Sequence, residues 1–124
     1  KDTRRAVMSG HNIAVGRLGE NKAVDYLAKK GYIIIERNHR TPFGEIDIIA
    51  QKPPLTVFCE VKTRSTPLNG LGREAISPKK LGHMLKSAEY YCAMHGLENS
   101  PVRIDVIEIT LSENSLVHFE DALS

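Results

Sequence analysis

Asp47, Glu60 and Lys62 stand in two runs of alternating residues. That period marks strands, in which successive side chains point to opposite faces. In Glu45-Ile46-Asp47-Ile48-Ile49-Ala50, one expected face holds Ile46, Ile48 and Ala50, and the other Glu45, Asp47 and Ile49. In Val57-Phe58-Cys59-Glu60-Val61-Lys62-Thr63, the apolar set Val57, Cys59 and Val61 opposes Phe58, Glu60 and Lys62. If the runs pair antiparallel around Pro53 and Pro54 with their apolar faces together, paired residue numbers add to an odd total, because a one-residue slip inverts a strand. A total of 107, centred on the prolines, sets Ile48 against Cys59 and Asp47 against Glu60; totals of 105 or 109 leave the two acids diagonal. Directly opposed Cβ atoms lie roughly 4.5 to 5.5 Å apart, and like charges so placed are destabilising unless a positive group lies between them. A divalent cation fits that need, and magnesium is commonly held by only one or two carboxylates, with water and substrate phosphate completing its shell. The alternative is a solvated face on which Glu45 or Glu60 pairs with Lys62, a contact worth little alone.

Other elements must position these groups. The segment from about Ile13 to Lys30 reads as a helix closed by Gly31, with Gly16, Glu20, Ala23, Val24 and Leu27 on one stripe. A carboxylate on an apolar stripe needs a partner or loses its charge. Glu20 is therefore either a helix-supplied member of the metal site or a neighbour of Arg17 at the helix edge. Tyr32 to Glu36 is expected to form a nearly buried first strand. The connection Arg37-Asn38-His39-Arg40 follows, either solvated or lining the approach to the site with Arg37 and Arg40 as phosphate contacts.

The stretch from Arg64 to Ile76 is the most loop-like in the chain, and reads either as a substrate-gripping flap or as a plain connection. Ser77 and Pro78 then start a second helix, with Leu81, Leu85, Ala88 and Cys92 as its buried stripe up to Gly96. Lys79 and Lys80 occupy its first turn, where the helix dipole disfavours cations unless a phosphate is bound. Lys79, His83 and Lys86 form a stripe. Val102 to Leu111 and Leu116 to Phe119 are strands, with Asp105 either another acid of the site or, the preferred reading, in a structural ion pair with Arg103. The order is helix, three strands, helix, two strands, an α/β layer with a mixed sheet.

The chain's 124 residues, 41% hydrophobic and 26% charged, suit one globular domain over 13–124, preceded by a flexible or truncated arm over 1–12. No apolar run approaches a membrane span and no secretory leader is visible, so the expected compartment is the cytoplasm. Cys59 and Cys92 are expected as buried reduced thiols. Net charge is only +2, but it is unevenly spread. Lys62, Arg64, Arg73, Lys79, Lys80 and Lys86 face Glu74 alone in one segment, while six acids face Arg103 from Leu97 onward. A positive side adjoining carboxylates suits a polyanion whose phosphate is brought to a metal, although the same charges could simply solvate the surface.

These residues resemble a known signature. Glu20, Asp47 and Glu60-Val61-Lys62 look like the PD-(D/E)XK nuclease motif, with Ile46 where that motif usually has proline. More closely, Gly19-Glu20, Arg37-Asn38, Gly44-Glu45-Ile46-Asp47-Ile48-Ile49-Ala50 and Phe58-Cys59-Glu60-Val61-Lys62-Thr63-Arg64 resemble the YraN-like bacterial family, related to archaeal Holliday junction resolvases. The resemblance implies a restriction-endonuclease-like core of order αβββαββ and phosphodiester hydrolysis in branched or otherwise structured DNA. It implies magnesium or manganese on Asp47 and Glu60, with Glu20 as a further ligand, and Lys62 positioning the attacking water or offsetting charge on the phosphorane. Arg37, Arg40, Arg64, Lys79 and Lys80 are the expected DNA contacts. A homodimer would suit paired incision of a symmetric junction. A non-catalytic DNA-binding module and a protein-interaction domain retaining the fold are the alternatives.

Overall fold

The computed structural model describes residues 3–67 and 76–123, with side chains from Ile13 onward. The chain runs α1 (Thr3–Lys29), β1 (Ile33–Thr41), β2 (Gly44–Lys52), β3 (Leu55–Arg64), α2 (Pro78–Met94), β4 (Val102–Thr110) and β5 (Ser115–Phe119), in the expected αβββαββ order. The strands lie side by side in chain order. β3 and β4 pair in parallel, and the other neighbours are antiparallel. A parallel pair needs a long crossover, which α2 supplies. In the β2–β3 hairpin Ile48 opposes Cys59 and Lys52 opposes Leu55, the register centred on the two prolines.

Both sheet faces are covered, which splits the core in two. Ala23 and Leu27 of α1 pack with Ile48, Ala50, Val57, Cys59, Ile107 and Ile109. Met84, Ala88, Tyr91 and Cys92 of α2 pack with Ile46, Ile49, Phe58 and Ile104. Covered on both faces, β4 is buried continuously from Ile104 to Ile109, Asp105 and Glu108 included. Both cysteines are buried free thiols. Among the described residues no helix is long and apolar enough to cross a membrane.

Three local expectations change. α1 begins at Thr3, ahead of Ile13, and ends at Lys29, two residues before Gly31, whose φ of +94° is open to glycine at little cost. β1 is not a buried strand of five residues. It continues through Arg37-Asn38-His39-Arg40 to Thr41 and lies at the sheet's end, with Ile33 55% and Ile35 42% exposed. Its pairing with β2 shifts between Ile34 and Glu36, an irregularity of the kind that protects an edge. On α2 the buried face is Met84, Ser87, Ala88, Tyr91 and Cys92, whereas Leu85 is exposed. Ser87 can be buried because its hydroxyl shares a 2.8 Å hydrogen bond with Thr41. The Ser77 cap forms as expected, accepting from the Lys80 N–H at 3.1 Å. The flap reading falls largely on 68–75, outside the described residues.

Asp105 is fully buried in the structural role expected of it. Its carboxylate accepts from Arg103 at 2.8 and 2.9 Å, meets His118 Nε2 at 2.7 Å and accepts the Asp121 N–H at 3.0 Å. This ties β5 and the residues after it to β4.

Candidate active site

Asp47 sits where the β2–β3 ladder stops. The last pair is Ile48 with Cys59, so Asp47 and Glu60 are the next residues along the same register. The Val61 N–H donates to Asp47 Oδ2 at 2.8 Å, a side-chain oxygen standing where a strand carbonyl would otherwise serve. Alternation breaks at the same point. Ile46 joins the α2-side core and Ile48 the α1-side core, although a regular strand would put both on one face. Across the hairpin, Asn38 and Asp47 lie between the pairs Arg37–Ile48 and His39–Ile46, and Asn38 is left-handed with φ of 52°. Asparagine tolerates that conformation better than most residues.

The kink at Asn38 decides what holds Glu20. Consecutive strand residues normally point to opposite faces, yet Arg37 and Asn38 both reach Glu20 Oε1. Arg37 donates from Nε at 3.1 Å and from its terminal nitrogen at 2.8 Å, and Asn38 Nδ2 donates at 3.0 Å. The partner of Glu20 is therefore Arg37 rather than Arg17. The helix comes close enough for this because residue 19 is glycine, where a Cβ would overlap the Thr63 side chain of β3.

Glu20, Glu45 and Asp47 line a cleft of about 540 Å³ with Arg17, Asn38, Arg40 and Val61. Burial, then the charge of Glu60, push Asp47 up to about 7; the Val61 hydrogen bond opposes this, and Glu20 and Glu45 add to it. Glu60 is mostly buried on β3, and Lys80 of α2 lies 3.4 Å from its Oε2. Lys62, half-buried, is level with Glu108 across the β3–β4 pair.

The donor set is carboxylate oxygen, which suits magnesium or manganese. Among the described residues no three His, Cys, Asp or Glu side chains converge closely enough to hold an ion. Glu20 is turned to Arg37 and Asn38, so among the described residues Glu20, Asp47 and Glu60 do not stand together as a ready ligand set. Asp47 with Glu60 fits the sparser set that magnesium accepts, with water completing its coordination.

The expected DNA contacts divide. Arg40 lines the cleft and Lys79 is exposed. Arg37, Lys80 and Arg64 are each in an ion pair, Arg64 with Glu108 at 3.8 Å. A separate, more apolar cleft of about 260 Å³ between α2 and the residues after β5 holds none of the candidate acids.

Residues 19–109 match the model of an uncharacterised protein family, UPF0102. A UPF0102 protein of Clostridioides difficile is 42% identical over 112 residues, covering 90% of this chain and 98% of the relative. One from Dictyoglomus thermophilum is 40% identical over 107 residues, 86% of this chain and 91% of its own. The chain belongs to UPF0102. This is the YraN-like family whose blocks the sequence resembles. A further UPF0102 protein, from Caldicellulosiruptor bescii, is 49% identical over 96 residues, covering 77% and 81% of the two chains. The segment matched by the UPF0102 model begins one residue before Glu20 and also takes in Asp47, Glu60 and Lys62.

Sequence reasoning missed Asn38 and Gly19 as positioning residues for this UPF0102 site. The available signals were an asparagine inside a strand-like run, where left-handed backbone is tolerated, and a glycine beside the helix stripe. Nothing in the spacing pairs Lys80 with Glu60, because α2 reaches β3 only through the tertiary fold.

Proposed function

We propose that this UPF0102 protein is a metal-dependent endonuclease of the PD-(D/E)XK type, hydrolysing phosphodiester bonds in branched or otherwise structured DNA. Asp47 carries the reading. It is a half-buried carboxylate at a ladder end, raised to about 7 first by burial and then by Glu60, and a cation would stabilise its charged form. Supporting this are the acid on β2 and the Glu60-Val61-Lys62 run on the neighbouring antiparallel strand, set in a mixed sheet between helices.

Asp47 and Glu60 would hold magnesium or manganese, with Glu20 reaching it through water. Bound there, the ion would supply an activated water and offset charge on the phosphate. Lys62 orients that water or offsets charge on the phosphorane. Arg40 and Lys79 contact flanking phosphates. Arg37 becomes a positioning residue, since its guanidinium holds Glu20. A DNA substrate implies the cytoplasm, and paired incision of a symmetric junction implies a homodimer.

A second reading is a DNA-binding module without catalysis. The Lys80–Glu60 contact and the turned Glu20 favour it, because both acids then have internal partners. The deciding experiment titrates magnesium and manganese over single-stranded, duplex, flap and four-way DNA. The enzyme predicts cleavage that is lost in Asp47→Ala and Glu60→Ala. Salt-sensitive binding without cleavage supports the module. Absence of DNA affinity, with Arg64, Lys79 and Lys80 intact, supports a protein-interaction domain.

A further inference from the structure

Two exposed aromatic rings lie outside the proposed chemistry. Phe43, in the β1–β2 turn, is 42% exposed, and Tyr90 of α2 is 37% exposed. Their centroids are 6.2 Å apart with planes at 70°, and Lys86 Nζ lies 5.9 Å from the Phe43 centroid. The turn is fixed from within. The Thr41 hydroxyl donates to Gly44 O at 2.9 Å, accepts the Phe43 N–H at 3.0 Å and shares its 2.8 Å bond with Ser87 of α2. Exposed large apolar rings on a braced turn cost solvation, and a neighbouring ammonium makes them a platform for a planar, anionic ligand.

Their position is set by two independent rulers. Phe43 precedes Asp47 by four residues, about 13 Å at the rise of a strand. Tyr90 follows Lys80, the neighbour of Glu60, by ten residues, about 15 Å along a helix. Lys79, His83, Lys86 and Tyr90 are spaced four, three and four apart, so they form one face of α2, and all four are exposed. A basic track thus leads from the carboxylates to the rings.

From this arrangement we infer that an unpaired base of the bound DNA stacks on Phe43 with the Tyr90 ring bracing its edge, while its phosphates follow Lys79, His83 and Lys86 toward Asp47 and Glu60. The inference rests on the nuclease reading and narrows its substrate to DNA with unstacked bases, as at a fork, flap or junction. The two backbone lengths put the captured base on the order of 13 to 15 Å from the carboxylates.

The test uses forked DNA with 2-aminopurine at the first unpaired position, and a duplex of equal length, with affinity and fluorescence measured without divalent metal. The wild type should prefer the fork and quench the probe on binding. Phe43→Ala and Tyr90→Ala should each lower the fork-to-duplex affinity ratio about 5- to 100-fold and relieve the quench, whereas Phe43→Trp retains both. An unchanged ratio and quench in both alanine variants overturns the inference and leaves the nuclease reading standing. Failure of the wild type to bind either DNA overturns both.

Discussion

The Val61 N–H donates to Asp47 Oδ2 at 2.8 Å, at the point where β2 and β3 cease to pair. One carboxylate therefore does two things: it ends a ladder without leaving a buried donor unsatisfied, and it brings negative charge beside Glu60. Asparagine at 47 would keep the acceptor and remove the charge.

That separation predicts a pH signature. Asp47 is raised from 3.8 to about 7 by burial and by Glu60, so the folded state holds its proton more tightly than the unfolded chain does. The associated stability is present below about pH 4 and is lost as pH rises through about 7. In urea titrations with EDTA, the wild type should lose on the order of 2 to 4 kcal/mol relative to Asp47→Asn between pH 4 and pH 8. Parallel pH profiles for the two proteins would refute it.

Asn38 should matter through its backbone as well as its amide. Its φ of 52° costs about 1 to 2 kcal/mol for most residues, and its bond to Glu20 contributes about 1 kcal/mol. Asn38→Ala should therefore destabilise by about 2 to 3 kcal/mol and Asn38→Gly by about 1 kcal/mol, read by chemical denaturation. Equal losses would mean that the left-handed turn is not what fixes Glu20.

Much of the fold was legible because the chain states it locally. The two proline-linked runs give their own register, and Ser77-Pro78 and Gly31 mark helix ends by chemistry that needs no tertiary context. The exposed edge position of β1 was not legible, since a β-branched run looks alike in the middle of a sheet and at its margin. The Leu85 error has a similar origin: α2 is rotated so that Ser87 reaches Thr41, and a serine is an unpromising candidate for burial until its partner is known. The acids were identified by type and spacing. Their partners Arg37, Asn38 and Lys80 were not, because each meets its acid across a fold contact.

Gly19 allows the approach of α1 to β3. Adding a methyl there overlaps Thr63, so Gly19→Ala should cost about 1 to 3 kcal/mol. Thr63→Ala in the same chain should recover part of that loss, since the two sites are in contact. Strict additivity in a double-mutant cycle would show that the helix is held off the sheet by something else.

Asp105 should dominate the acid limb of stability. Burial pushes it up, but the Arg103 hydrogen bonds, the Asp121 N–H and His118 outweigh burial and hold it below its ordinary value. Its contribution is thus present above the usual carboxylate range and lost as pH falls through the lowered folded value. Asp105→Asn should cost about 3 to 5 kcal/mol at neutral pH, because it leaves Arg103 without its buried partner, and should flatten the acid limb. An acid limb as steep as the wild type's would place the sensitivity elsewhere.

The most direct test of the central claim is calorimetric titration of manganese into the wild type and into Asp47→Asn and Glu60→Gln, each checked for fold by circular dichroism. Specific binding in the wild type, lost or weakened at least tenfold in both variants, is the predicted result. Undiminished binding in folded Asp47→Asn, or no manganese binding by the wild type with or without DNA, would contradict it.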